Sequence, residues 1–264
     1  MQPTRSYVLA CTPRVGSHLL ADALTATGIA GRPREWLPRY TAETAPRTPL
    51  DRMKLVTQPP PDVAYDPAAD AEAIRKFVAA GTTENGVFGT VVHWLVQQDA
   101  VRRLRAYAGT DEPAPHRVLA AAFPELSYVW LRRRDKVAQA VSWYKAIQTG
   151  VYVGRHGPGG AGPEEEALHF DYGKIRYLLT ALTSFENAQG LFFSSSGLTP
   201  LVLHYEELAA DYVGTVRSVL EFLRLDPDSV EIARPKREKY ADAQSREWIE
   251  QFTRLHNQSR STRR

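Results

Sequence analysis

A single cysteine, Cys11, occurs in 264 residues, so an intrachain disulfide is excluded and nothing points to an oxidising compartment. No apolar run approaches the ~18 residues that a membrane-spanning helix needs, which argues against membrane insertion. The first apolar stretch, Tyr7 to Cys11, is five residues long, too short for a signal-peptide core and suited to a buried strand. Neither sign of charge dominates: 33 Lys and Arg stand against 30 Asp and Glu, a net +3. That excess is too thin to indicate nucleic acid, although it suits an anionic ligand. Repeats and low-complexity tracts are missing, and no Cys/His cluster or His-Glu-x-x-His pattern supplies a metal site.

What is present is ordinary globular composition, 43% hydrophobic and 24% charged, over a length that suits one domain. The expectation is a single cytoplasmic domain over residues 1–264, with Arg260, Arg263 and Arg264 in a frayed basic tail at about 258–264. Ser6–Cys11 reads as a strand buried on both faces, followed by the short loop Thr12–Gly16 and a helix from about Ser17 to Thr27. Residues 28–66 are rich in Pro, Arg and Gly, yet Trp36 and Tyr40 argue against simple disorder there. Further strands are expected at Val87–Val92, Leu126–Leu131 and Leu201–His204. Helices are expected at 67–81, Trp94–Tyr107, Lys136–Ile147, 164–188, Glu206–Leu223 and Gln244–His256. Gly150–Gly162 carries six glycines and reads as the most flexible stretch. Strands alternating with helices predict a three-layer α/β domain with a mostly parallel sheet.

The first turn has the makings of an anion cradle. A helix N-terminus offers unpaired N–H groups and the positive end of the helix dipole. Gly16 lets backbone approach a ligand closely, Ser17 can cap the helix or donate to an oxygen, and Arg14 adds a cation. This is not a nucleotide-triphosphate loop, whose first Gly and following Lys would fall on Cys11 and Ser17. The three-glycine dinucleotide fingerprint is missing too. By itself the turn is equally compatible with a purely structural role. A second anion site is offered by Arg133, at the end of the third strand, and Ser142, nine residues later on the next helix. A solvated charged turn over Arg132–Lys136 is the alternative for that segment.

The stretch from Tyr7 through Thr12-Pro-Arg-Val-Gly-Ser-His18 to Arg32-Pro-Arg-Glu-Trp36 resembles the bacterial trehalose 2-sulfotransferase-like family. So do Asn85-Gly-Val-Phe-Gly89 with Trp94, Arg133–Trp143 with Gln148-Thr-Gly-Val-Tyr152, His204-Tyr-Glu-Glu-Leu208 with Gly214, and the Ser245–Trp248 region. The resemblance implies a P-loop-like sulfotransferase fold that uses 3′-phosphoadenosine-5′-phosphosulfate (PAPS) as co-substrate, no metal, and a small-molecule hydroxyl acceptor. It is compatible with a homodimer. It implies that Thr12, Pro13, Arg14, Val15, Gly16, Ser17 and His18 hold the 5′-phosphosulfate. It likewise implies that Arg133 and Ser142 hold the 3′-phosphate, with Arg134 competing for the role of Arg133.

Sulfuryl transfer, like phosphoryl transfer, is in line, so positioning and fixed positive charge can supply most of the rate. Arg14, Ser17 and the helix N-terminus are the candidates. The acceptor hydroxyl needs a base, which the resemblance places on Glu35 of Gly31-Arg-Pro-Arg-Glu35; burial beside Trp36 is expected to raise its pKa. His18 and His93 are rivals for an acid, base or donor role. Two departures stand out: His18 and Val15 replace small hydroxyl residues in the first loop, and Val91 replaces a lysine in the second strand. They leave a catalytically degenerate anion-binding protein of the same fold as the alternative reading.

Overall fold

The computed structural model describes residues 2–35, 48–54, 56, 66–94, 97–152, 168–233 and 243–261. In chain order the elements are β1 (Arg5–Cys11), α1 (Ser17–Ala26), α2 (Pro49–Lys54), α3 (Pro67–Gly81), β2 (Val87–His93), α4 (Gln97–Ala108) and α5 (Pro115–Ala122). Then come β3 (Leu126–Arg132), α6 (Lys136–Thr149), α7 (Tyr172–Ser195), β4 (Leu201–His204), α8 (Tyr205–Ala210), α9 (Tyr212–Phe222) and α10 (Ala243–Ser261).

The four strands form one sheet in the order β2-β1-β3-β4, and every pairing is parallel. Alternation along β1 divides the core between the two faces. Tyr7, Leu9 and Cys11 join Leu20 and Leu24 of α1 and Val216, Val219 and Leu220 of α9. Val8 and Ala10 join Ile74, Leu104, Val118 and Phe193 from α3, α4, α5 and α7. A third cluster locks α6, α7 and α10 together through Tyr144, Ile147, Leu178, Leu182, Trp248 and Phe252. The result is the three-layer α/β arrangement expected from the alternating elements.

Several boundaries differ from expectation. Asp211 divides the expected 206–223 helix in two, because its carboxylate accepts from the Gly214 N–H and caps a new helix. The helix expected over 164–188 begins at Tyr172, capped by Asp171, and continues to Ser195. The short helix α5 lies in a stretch for which the sequence pattern predicts no element, and α10 runs on to Ser261, so 258–261 of the expected tail are helical. Trp36, Tyr40, the start of the helix expected at Trp94 (95–96), most of Gly150–Gly162, and 262–264 lie outside the described residues.

Because the sheet is parallel, all strand C-termini lie along one edge. Cys11 is in register with His93 on one side and Leu131 on the other, and Arg132 with His204. The loops leaving that edge, where ligands of open α/β sheets bind, carry Thr12–Gly16 and Arg133.

Candidate functional site

The first loop leaves β1 from the fully buried Cys11 and turns through two residues of positive φ, Arg14 at 65° and Gly16 at 86°. A Cβ on Gly16 would lie 2.7 Å from Cδ2 of Tyr205, so both the backbone and the ring demand glycine. Gly16, not Ser17, is the N-cap of α1, and the helix has no side-chain cap. Ser17 is therefore the first helical residue, is buried, and does not cap the helix. Val15 turns its side chain fully into the core and can offer the site only backbone.

The loop is pinned from behind by Gln139 of α6, which is fully buried. Its Nε2 donates to Thr12 Oγ1 at 3.0 Å and to the Pro13 carbonyl at 2.6 Å. Gln139 in turn accepts at Oε1 from Lys136 Nζ at 3.3 Å, and Lys136 pairs with Glu186 of α7 at 2.6 Å. Arg132 meets the same carboxylate at 2.7 Å. Thr12 and Pro13 are thus scaffolded by a polar network that sequence reasoning missed; a glutamine amid the apolar residues of α6 was the available signal.

Arg14 Nε donates to Ser142 Oγ at 3.0 Å, and its Nη1 donates to the Tyr152 carbonyl, so the first loop and α6 meet through these side chains. Arg133 Nη1 donates to the Arg14 carbonyl at 3.3 Å, and its guanidinium packs 4.7 Å from the centroid of the Tyr205 ring. Burial favours the neutral form of Arg133 and lowers its pKa, against the pull of Tyr205, Asp135 and Glu206. Arg134 turns elsewhere. It pairs with Glu207, lies 3.3 Å from His204 Nδ1, and receives Glu206 at its backbone N–H. Of the two neighbouring arginines, only Arg133 is seated against the first loop by these contacts.

Glu35 is brought in by a strip of backbone laid along β2. Gly31 sits so close that a Cβ would be 2.6 Å from the Gly89 N atom, again at positive φ. Its N–H donates to Thr83 Oγ1 at 3.1 Å, and the Arg34 carbonyl accepts from the Val91 N–H at 2.9 Å. Arg34 thereby makes an isolated parallel bridge with Thr90. The next residue, Glu35, then reaches the end of β2: its Oε1 lies 2.7 Å from His93 Nε2 and 3.7 Å from His18 Nε2.

Here the electrostatics overturn an expectation. Burial does push the Glu35 carboxyl up, but attraction to His93, its hydrogen bond and the nearby His18 outweigh that and pull it from 4.5 to about 2. His93 responds in the opposite sense. Burial disfavours its charge, but Cys11 and Glu35 together hold its pKa well above 6.5. His18 is lowered, chiefly by burial and further by His93 and Arg14, against Glu35 and Asp22. Val91, where a lysine was looked for, is buried in the core on the α1 side and contributes nothing polar. Among the described residues no group of three or more His, Cys, Asp or Glu gathers as a metal site would need.

The chain is 29% identical over 262 residues to the trehalose 2-sulfotransferase of Mycolicibacterium smegmatis, covering 94% of each. It is 31% identical over 264 residues to the trehalose 2-sulfotransferase of Mycobacterium tuberculosis, again covering 94% of each. A solved sulfotransferase from Alicyclobacillus acidocaldarius aligns with a TM-score of 0.48 at 17% identity, over 96% of this chain and 92% of that one. The family model described as Stf0 sulphotransferase matches residues 6–255, and the chain belongs to that family.

Proposed function

We propose that this chain, acting as a single cytoplasmic domain, transfers the sulfuryl group of PAPS to a hydroxyl of a small molecule and releases 3′,5′-adenosine bisphosphate. The observation that carries this reading is the convergence of two arginines and a serine on one loop. Arg14 bonds Ser142 across the loop–α6 gap while Arg133 holds the loop's own carbonyl. The residues suit a donor with two anionic groups: Arg133 Nε is buried without a partner among the described residues, and an anion beside this guanidinium would favour the charged form that burial disfavours. The positive end of α1 faces the same place.

In this reading Arg133 and Ser142 bind the 3′-phosphate. The N–H groups at the start of α1, with Arg14 and Ser17, bind the 5′-phosphosulfate and stabilise charge that builds on the departing phosphate. Glu35, ionised throughout the working pH range, receives the acceptor's proton as the new S–O bond forms and the bridging S–O bond to phosphate breaks. A carboxylate of low pKa is adequate here, because the acceptor oxygen becomes strongly acidic as it gains the sulfuryl group.

Trehalose is the first acceptor to assay, since both relatives are named for it, followed by a panel of sugars and hydroxylated metabolites. Incubation with PAPS and intact-mass detection should reveal a product 80 Da heavier, roughly the mass of SO₃ added to an in-line transfer acceptor. The bisphosphate should raise the melting temperature, and ATP with Mg²⁺ should do much less. Equal stabilisation by ATP would remove the 3′-phosphate assignment. Bisphosphate binding without turnover of any acceptor would favour a degenerate binder.

A further inference from the structure

The strands place His93 directly behind Glu35. Its Nε2 meets Glu35 Oε1 at 2.7 Å and its Nδ1 faces Cys11 Sγ at 3.5 Å, so both ring nitrogens have partners and the ring plane is fixed from two strands. The pairing of Cys11 with His93 in the parallel register makes that contact inevitable. The His93 side chain is only 15% exposed, whereas Glu35 is 44% exposed, so the carboxylate faces outward and the imidazole supports it. Glu35 Oε2 has no hydrogen bond among the described residues. Among the described residues, His18 from α1 also faces Glu35, and His18 in turn feels Asp22 of α1 and Arg14 from the first loop.

We propose that His93 is a positioning residue for sulfuryl transfer: it grips Glu35 through Oε1 and leaves Oε2 for the acceptor hydroxyl. This rests on the reading of Glu35 as the base. No proton is transferred to His93 in the step: the hydroxyl proton goes to Glu35, and the imidazolium stays in place. Without His93 the half-buried carboxylate would instead drift toward its neutral form and rotate freely about χ3.

The test begins with a readout that needs no turnover. In protein labelled with ¹³C at the glutamate carboxyl, the Glu35 resonance, assigned by its loss in Glu35→Gln, should not titrate in the ordinary carboxylate range. In His93→Leu it should titrate higher, within the ordinary carboxylate range, because burial is then opposed only by the more distant His18. His93→Gln, which keeps a donor without the charge, should fall between the two, and it serves if the leucine variant does not fold. In turnover, His93→Leu should lower kcat by roughly 10- to 10²-fold, with bisphosphate affinity unchanged, and expose a new acid limb. Added to Glu35→Gln, it should cause no further loss, since the two act as a unit. An unchanged Glu35 titration, or losses that multiply, would overturn the proposal. Should wild type bind no bisphosphate, the PAPS reading fails while the carboxyl titration still decides the Glu35–His93 pairing.

Discussion

The guanidinium of Arg133 lies 4.7 Å from the centroid of the Tyr205 ring, and the edge of the same ring closes over Gly16. One aromatic side chain from the start of α8 therefore touches both proposed anion sites. Gly16→Ala tests that arrangement. A methyl group would have to displace Tyr205 from 2.7 Å and tolerate a φ of 86°, so stability should fall by about 2 kcal/mol. Bisphosphate affinity should fall with it, as Arg133 loses its platform. Urea unfolding and ligand-dependent melting check the two effects. A variant of native stability and native affinity would show that the ring moves aside at no cost.

Arg133 and Arg134 are neighbours in sequence with opposite surroundings. Arg133→Ala should weaken bisphosphate binding by about 2 kcal/mol, roughly 30-fold. Arg134→Ala breaks an exposed pair with Glu207 and should change affinity less than twofold. Isothermal titration of both variants decides it, and a reversal would place the phosphate on the β4 side of Tyr205.

The buried carboxylate of Glu186 ties Arg132 and Lys136 to the layer that carries Gln139. Burial favours its neutral form, but the hydrogen bonds and charges of Arg132 and Lys136 win and lower its pKa. A depressed folded-state pKa contributes stability above the unfolded value, which is lost as pH falls through the folded one. Glu186→Gln should therefore cost about 2 kcal/mol at pH 7, discounted for the partial exposure of both cations. The deficit relative to wild type should shrink below the ordinary carboxylate range. Denaturant melts at pH 7 and pH 3.5 read this directly, and a deficit constant with pH would mean that Glu186 acts by packing alone.

Local pattern made the sheet legible. Short apolar runs marked β1, β3 and β4 within a residue, most plainly in β1, which is buried on both faces and so has no exposed position to break the run. Helix ends were harder. The helix expected to end at 188 runs on to Ser195 through Gly190, which packs under Trp130, where a Cβ would meet the indole at 3.3 Å. Arg14 and Arg133 could be singled out because each sits at a strand's end. The pairing of Glu35 with His93 could not, since it depends on a backbone strip hydrogen-bonded along β2 between residues 58 apart in sequence. Tyr205 and Gln139 stayed hidden for the same reason: Tyr205 closes on Gly16 and Gln139 holds Thr12, each more than a hundred positions away.

Glu35 itself separates an enzyme from a binder. With its pKa near 2, it is ionised at every pH where the protein would be assayed. Wild-type kcat should therefore show no rise through the ordinary carboxylate range, contrary to what burial alone would suggest. Glu35→Gln preserves size and a hydrogen-bonding oxygen opposite His93 but accepts no proton. Its kcat should fall ~10²–10⁴-fold, the usual contribution of a general base, while bisphosphate affinity changes less than about twofold. Rate measurements at saturating PAPS with calorimetry on the bisphosphate give both numbers. Near-native turnover would pass the role to His18, which lies 3.7 Å away and has the depressed pKa that a neutral imidazole base needs. Loss of bisphosphate affinity would instead make Glu35 an organiser of α1 through His18. Those two failures have different signatures, and neither disturbs the placement of Arg14, Ser142 and Arg133 around the first loop.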